Sequence, residues 1–504
     1  MSETRGTMAE KATFQVIVLG PTGGPREDSV TGILVRSTST NWSSNSVVAV
    51  DAGTLLAGII RLLERYIPEC TDDRGMMTSG PFQGLELPCR TAQANAAHVF
   101  REIIGAVLIT HPHLDHISGL AINTPILEAG NGPKPVAALP SVLSAIKNHM
   151  FNDVIWPNLS DEDGGAGLLT YQRLVEGGNP RFGRGDSRGY VRACNGLLTK
   201  CLSVSHGRCK QRYHPESGTH HRVGSTVFSE HQLMLPSRAI SVDHTDGSFY
   251  SPARSPRLLP SNPKEPMMAT VESSAFFLRD HQTGSEIIVF GDVEPDSVSM
   301  GTHNKRVWEA AAPKIASGKL RAIFIECSYN DSTDDSYLYG HMCPRHLVSE
   351  LSVLANKVME ARDLDAGVKK RKREPVGRVE IGSEQVSPRS KRTLSSSTDK
   401  GRASESLIEP PLFPSESFEI PQIPKVDLGD GHGDVVGIPD PETWVDTTPL
   451  PLEGLRVYII HIKENLTDGP HPGDQILKEL QDHGEAAHLG CEFILPNPLE
   501  GIWI

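Results

Sequence analysis

An α/β architecture is predicted by two recurrences in the sequence and one property of its composition. Short apolar runs of strand length repeatedly pass into helix-periodic stretches: Val47–Val50 into a helix ending at Tyr66, Ala106–Ile109 into a helix beginning near Ile117, and Val136–Leu139 into Ser141–Met150. Several of these runs stop at a His or an Asp, which puts polar side chains along one edge of a sheet. The composition, 38% hydrophobic with 46 Gly and 37 Pro in 504 residues, leaves a sizeable part of the chain outside any core. The expectation is a packed α/β domain interrupted by long disordered insertions.

The most informative stretch is Thr110–Leu120, T-H-P-H-L-D-H-I-S-G-L. Pro112 biases His111 towards extended geometry, so His111 and His113 project to one side while Leu114 points back into the core. Asp115 and His116, at the first turn of the following helix, serve a second point a few Å away. Three His and one Asp at this spacing read as a site for two metal ions; the alternative is a set of histidines that cap a helix or hydrogen-bond within a loop.

This stretch resembles the metallo-β-lactamase superfamily motif. Its extension, H-x-H-L-D-H-I-x-G-L, resembles the signature of the class II cyclic-nucleotide phosphodiesterases, fungal and bacterial enzymes that hydrolyse cyclic AMP. Asn123-Thr124-Pro125 stands where that signature carries a Ser. The resemblance covers roughly Phe14–Thr302, Ala322–Leu354 and Leu455–Leu495, and implies a four-layer αββα sandwich. Residues 1–364 then form the catalytic domain, with an insertion at about 208–266. Residues 365–447, basic and then rich in Ser and Pro, are expected to be a disordered insertion, and 448–504 return to the domain.

Taken in order, Phe14–Leu19 and Gly32–Arg36 are strands, joined by a Gly- and Pro-rich turn at the rim of a site. No Lys-Ser/Thr pair follows those glycines, so a triphosphate cradle is not expected. Asp51, at the end of Val47–Val50, resembles the superfamily's first motif, a carboxylate that orients a ligand imidazole; a helix N-cap is the local alternative. Residues 70–93 read as a loop, Asn95–Glu102 as a short helix, and Leu168–Val175 as helix-compatible within the loose span Ser160–Arg192. Leu197–Ser205 is a strand ending in His206-Gly207, which resembles the third motif. His206 is thus assigned to the first metal, with His244 as its rival among His220, His221, His231 and His244.

Ser273–Arg279 and Glu286–Phe290 form a hairpin, and Asp292 beyond it resembles the fourth motif, the carboxylate shared by both metals. Ala322–Ile325 is a strand ending in Glu326-Cys327-Ser328. Gly340-His341-Met342-Cys343-Pro344 resembles a segment in which the His faces substrate, so His341 is the candidate proton donor or phosphate clamp; a capping or exposed His is the alternative. His346–Leu354 is a helix, and Cys327 and Cys343 are packing residues. Leu455–Ile460 ends in His461-Ile462-Lys463, which resembles the fifth motif. Pro472–Gln481 reads as a helix and Cys491–Leu495 as a strand, while His471, His483 and His488 have no evident partner.

The resemblance thus implies His111, His113 and His206 on one metal, Asp115, His116 and His461 on the other, and Asp292 between them. Asp51 stands behind them, and Asp115 and His341 are the catalytic candidates. Two divalent ions are expected, zinc first for imidazole-rich ligation, with manganese or iron also suited to the carboxylates. The substrate expected is a 3',5'-cyclic nucleotide, cyclic AMP foremost, cleaved to the 5'-monophosphate. A metallo-β-lactamase-fold RNase, a thioester or lactam hydrolase and a non-catalytic scaffold are the alternatives.

The formal charge of −13 argues against a general nucleic-acid surface, although metals can still supply the charge for a small anion. No stretch is expected to span a membrane, and eight Cys without a C-x-x-C pair suggest neither a disulfide framework nor a zinc knuckle. A cytoplasmic protein is the simplest reading, with a homodimer left open. Lys369–Arg373, K-K-R-K-R, is read as a solvated run with nuclear import as the alternative.

Overall fold

The computed structural model describes residues 12–129, 132–209, 211–222, 269–373 and 449–504. Strands β1 (Phe14–Gly20), β2 (Gly32–Ser37) and β3 (Val47–Val50) are buried along their whole length, which demands cover on both faces. Helices α1 (Leu56–Tyr66) and α2 (Ala92–His98) supply part of it. The chain continues through β4 (Ile104–Leu108), α3 (Leu114–Asn123), β5 (Lys134–Ala138), α4 (Pro140–Ala145) and β6 (Leu169–Arg173). These strands form one seven-stranded sheet in the order β16-β1-β2-β3-β4-β5-β6, closed on its first edge by β16 (Gly501–Trp503).

The second half repeats the plan. Strands β7 (Val191–Cys194), β8 (Leu197–Cys209), β11 (Ala269–Asp280), β12 (Glu286–Phe290), β13 (Leu320–Glu326), β14 (Arg456–Ile460) and β15 (Glu492–Ile494) make a second seven-stranded sheet, ordered β15-β14-β13-β12-β11-β8-β7. Between β8 and β11 lies a small hairpin, β9 (Gln211–His214) and β10 (Thr219–Arg222). Alternation along the second sheet explains how it is sandwiched. Phe276, Leu278, Ile287, Val289, Phe324 and Tyr458 pack with the first sheet, whereas Phe277, Ile288, Phe290, Ile323 and Ile459 pack with α5 (His303–Ala316), α6 (Pro344–Arg373) and α7 (Pro472–Ala486). The layers are therefore helix, sheet, sheet, helix.

Each sheet contains a parallel half, β3-β4-β5-β6 in the first and β12-β13-β14-β15 in the second. The carboxyl ends of such strands are where backbone leaves the ladder and polar side chains collect. Asp51 follows β3, His111 lies beyond β4, Asp292 follows β12, Glu326 closes β13 and His461 follows β14.

Several expectations are corrected. Leu168–Val175 is not helical: Leu169–Arg173 pairs in parallel with β5, and alternation buries Leu169 and Tyr171. Leu114 does not point into the core but is 71% exposed, because α3 starts at Leu114 itself, earlier than Ile117, and turns that residue outward. His206 is not at a strand tip, since β8 runs through it to Cys209. Part of the 208–266 insertion is the β9–β10 hairpin, which holds His220 and His221; His231 and His244 lie outside the described residues.

The change of character read at about Asp365 falls within a helix. Leu347, Leu351, Leu354 and Val358 anchor α6 in the core, and the helix continues to Arg373 through residues of good helix propensity. The rest of the expected disordered insertion lies outside the described residues. His471 caps α7 by accepting from the Gly473 amide, and His483 pairs with Asp331, so neither lacks a partner. Among the described residues no helix is long and apolar enough to cross a membrane.

A buried polar knot ties the second sheet to α5. Glu286, fully buried, accepts from Tyr190 at 2.6 Å and from Arg279 at 2.8 Å, and pairs with Lys314. Removing the carboxylate leaves two cations and a phenol without their acceptor. Glu286→Ala is therefore expected to lower unfolding stability by about 3 kcal/mol in urea titration; a loss below about 1 kcal/mol would show that the knot contributes little.

Candidate metal centre

The six residues from His111 to His116 are aimed by a close contact between backbones. The α3 amides of Gly119 and Leu120 donate to the carbonyls of Gly53 and Ala52, and the Ala52 amide donates to the carbonyl of His116. A Cβ on Gly53 would stand 1.9 Å from the Asp115 carbonyl oxygen, so any side chain there would push α3 and its two polar residues away. Asp51, at φ 56°, then sits beneath the His cluster, a left-handed conformation unusual outside Gly. Its carboxylate accepts from the Thr110 amide and hydroxyl at 2.8 Å each and from His116 Nδ1 at 2.8 Å. It does not cap α1, whose Leu56 amide donates instead to Asn123 Oδ1 at 3.1 Å.

Asp292 is the centre of the arrangement. Its Oδ1 lies 3.2 Å from His116 Nε2 and 3.3 Å from His461 Nε2, and its Oδ2 lies 3.6 Å from both His111 Nε2 and His206 Nε2. Two groups result. One is His111, His113, His206 and Asp292; the other is Asp115, His116, Asp292 and His461, and within each the ligand atoms all lie within 4.8 Å of one another. All seven side chains singled out in the sequence as metal ligands are brought together.

His206 reaches its place through an irregularity in β8. The β8–β11 register shifts between Thr270 and Glu272, opposite His206 and Gly207, and Gly207 adopts φ 77°. This bulge re-aims one side chain in mid-strand, so His206 Nδ1 donates to the Gly340 carbonyl at 2.8 Å. His461, at φ 60°, is held by its amide on the Pro21 carbonyl and by Ser328 Oγ at 3.1 Å from its Nδ1. Lys463 Nζ donates to the Gly23 carbonyl and stands 3.7 Å from Asp115 Oδ2, which puts the glycine turn at the rim.

The donor set fits divalent cations. Because Nδ1 of His206 donates to the Gly340 carbonyl, that neutral ring presents a bare lone pair at Nε2, and Nδ1 of His116, on the Asp51 carboxylate, leaves Nε2 as the atom that faces the cluster. Ring nitrogens crowd one another here, His206 Nε2 at 3.2 Å from His113 Nδ1 and His116 Nε2 at 3.3 Å from His461 Nε2. His111 Nε2 is buried with no hydrogen-bond partner. Converging lone pairs repel unless a cation lies between them, and outer hydrogen bonds that fix the opposite nitrogen are typical of metal-binding imidazoles.

Burial pushes His111, His113, His206 and His461 below the ordinary imidazole range, His206 to about 4. His116 is the exception: burial opposes its proton, but Asp292 and Asp51 outweigh that and raise it. Asp292 and Asp115 are held low by the surrounding imidazoles against the effect of burial.

His341 joins from the loop before α6. Its Nδ1 lies 3.0 Å from both carboxylate oxygens of Glu326 and 3.8 Å from Asp292 Oδ2, and His341 is 6% exposed, so the capping and exposed alternatives do not apply. Glu326 is the functional residue the sequence reading passed over. It closes β13 much as Asp292 follows β12, and that shared position was the available signal. Fully buried, Glu326 also accepts from the Val293 amide at 2.6 Å and from Ser328. Burial raises its pKa to about 7 and lowers that of His341 to about 4.

The metal-stripped protein is expected to lose stability as pH falls. Five imidazoles of the cluster, His341 among them, have folded pKa values below the unfolded value of about 6.5, so below that pH the unfolded chain binds more protons and gains relative to the fold; His116 and Glu326, whose values are raised, act the other way but are outnumbered. Thermal unfolding of chelator-treated protein should show a lower Tm at pH 5.5 than at pH 7.5, and added divalent metal should restore Tm. A pH-independent Tm with no response to metal would contradict both the burial effect and the donor set.

The sequence model of the class-II cAMP phosphodiesterases matches residues 12–175 and 229–367. The 3',5'-cyclic-nucleotide phosphodiesterase of Schizosaccharomyces pombe is 28% identical over 347 residues, covering 69% of this chain and 76% of that protein. The 3',5'-cyclic-nucleotide phosphodiesterase 1 of Saccharomyces cerevisiae is 25% identical over 378 residues, covering 68% and 82%. The crystal structure of unliganded yeast PDE1 superposes with a TM-score of 0.57 at 19% identity, covering 98% of this chain and 100% of that one, so the αββα sandwich is a fold the two share. Its two seven-stranded sheets, layered as an αββα sandwich, have the metallo-β-lactamase-like architecture, and the chain belongs to the class-II cAMP phosphodiesterase family.

Proposed function

We propose that this centre hydrolyses 3',5'-cyclic nucleotides, cyclic AMP foremost, to nucleoside 5'-monophosphates with two divalent ions, zinc by preference. The observation that carries the reading is Asp292, a buried carboxylate whose two oxygens face two separate sets of imidazoles. His111, His113 and His206 would hold one ion and Asp115, His116 and His461 the other. When bound, such ions supply positive charge to phosphate oxygens and lower the pKa of water towards neutrality.

The chain's own residues account for the rest. Attack of water forms a new P–O bond and breaks the bond from phosphorus to O3'. Asp115, whose side chain is 25% exposed and whose Oδ2 lies 3.2 Å from His461 Nε2, is the group that would take a proton from the attacking water. His341 meets Glu326 through Nδ1, which leaves Nε2 to protonate the departing O3' while Nδ1 draws the Glu326 proton. Asp51, Ser328 and the Gly340 carbonyl orient the imidazoles. All of these groups come from one chain, so the reading needs no second copy. The location proposed is a reducing compartment such as the cytoplasm, where thiols such as the buried Cys194, Cys201, Cys327 and Cys343 stay reduced.

Purified protein should turn over cyclic AMP or cyclic GMP, and cleavage of a short RNA without cyclic-nucleotide turnover would replace this reading with a nuclease. His113→Ala should lower metal content by elemental analysis. His341→Ala should retain metal and reduce kcat by about 100-fold or more, the usual contribution of a general acid; full activity in His341→Ala would remove it from the reaction.

A further inference from the structure

A cavity of about 900 Å³ opens beside the His113 edge of the first metal group. Its walls come from the start of α3, from α4 and the turn after it, and from β8 and β11, with the β9–β10 hairpin on the far side. Ile117, Val142 and Met150 present buried apolar surface to it, and Leu114 and Ile155, both largely exposed, stand at its mouth. Polar side chains, Tyr213, His149 and His220 among them, share the lining, and its one carboxylate among the described residues is that of Glu272, which accepts a hydrogen bond from Ser141. The tie holds the acid across the gap between α4 and β11. A second cavity of about 660 Å³, by Tyr190 and Lys200, is lined by none of the metal-group residues.

We infer that the cavity beside His113 is the nucleobase site and that Glu272 is its specificity-determining residue; the inference rests on the cyclic-nucleotide reading above. The shape and chemistry agree with a purine. Ligand sites are typically concave and mostly apolar, with a few polar groups fixing orientation, and this volume lies in their usual range. A flat heteroaromatic ring buries its faces against Ile117, Val142 and Met150. Its edge then needs an acceptor for N–H groups, and an ionised carboxylate can only accept. The exocyclic amine of adenine is such a donor. Ser141, which already donates to Glu272, keeps that carboxylate from turning into solvent.

The position also fits the substrate. The cyclic phosphate must lie over Asp292 for the reaction, and His113 both belongs to the first metal group and lines the cavity. A nucleotide with its phosphate at the metals therefore extends its base towards α4. The exposed Leu114, unexplained as a helix surface residue, becomes the apolar lip over which the sugar passes. The same inference gives a reason for the α4 and β11 contact, since neither element carries a metal ligand.

The test compares cyclic AMP with the 3',5'-cyclic phosphate of purine riboside, which lacks the amine. Wild type should favour cyclic AMP in kcat/KM by about 10- to 100-fold, the range of a hydrogen bond to a charged group. Glu272→Met, which keeps the length of the side chain and removes the acceptor, should bring that ratio close to one, chiefly through KM. Ala145→Phe, which narrows the cavity from α4, should raise KM for both substrates. A wild-type ratio near one, or a preference that persists in Glu272→Met, would overturn the inference while leaving the phosphodiesterase reading in place. Absence of turnover of every cyclic nucleotide by wild type would overturn the reading itself, and this inference with it.

Discussion

The constraint on which this molecule depends is the burial of a carboxylate among imidazoles. Asp292, 2% exposed, has no Lys or Arg paired with it among the described residues and is surrounded by rings that come from α3, from β8 and from the end of β14, with His116 holding its proton against burial to face it. An isolated charge at that depth is very costly. The arrangement persists only if rings from distant parts of the chain keep their separations, which is why so many backbone devices converge here: the left-handed Asp51 and His461, the bulge at Gly207 and the close approach at Gly53. Strain of this kind collects at functional sites and is held in place by surrounding packing.

The two sheets make that convergence available. Each contributes parallel strands whose carboxyl ends face the same edge, and the hydrophobic layer between them fixes their relation to within a side chain's width. Phe276, Phe324 and Tyr458 on one sheet pack in the same core as Val48 and Val107 on the other. The site is thus positioned by the most rigid part of the molecule. The segments around it, Tyr329–His341 with the proposed proton donor and the β9–β10 hairpin that lines the cavity, are a loop and a small appendage on that frame.

Much of this was legible in the sequence, for physical reasons that differ by residue. His111, His113, Asp115 and His116 lie within six residues, so local geometry alone brings them together. Asp292 and His461 were legible because each directly follows an apolar strand. Glu326 has the same placement but was passed over, since an acid at a strand end is more often solvated and only tertiary contact with His341 distinguishes it. Leu169–Arg173 was misread because five residues with two buried side chains satisfy either period until a neighbouring strand decides between them. Leu114 was misplaced by the start of a helix, where an error of a few residues rotates a side chain from core to solvent. The Glu272 carboxylate, isolated on a long strand, has no local signature.

His461 meets His116 across 345 residues of chain, so a ribosome has released nearly the whole first sheet, and all three imidazoles of the neighbouring group, long before β14 emerges. Through that interval a nascent chain carries His111, His113, His206 and Asp292 but still lacks the last imidazole of the second group. Translation arrested before Arg456 would therefore yield a polypeptide with the full set of donors for one position and an incomplete set for the other.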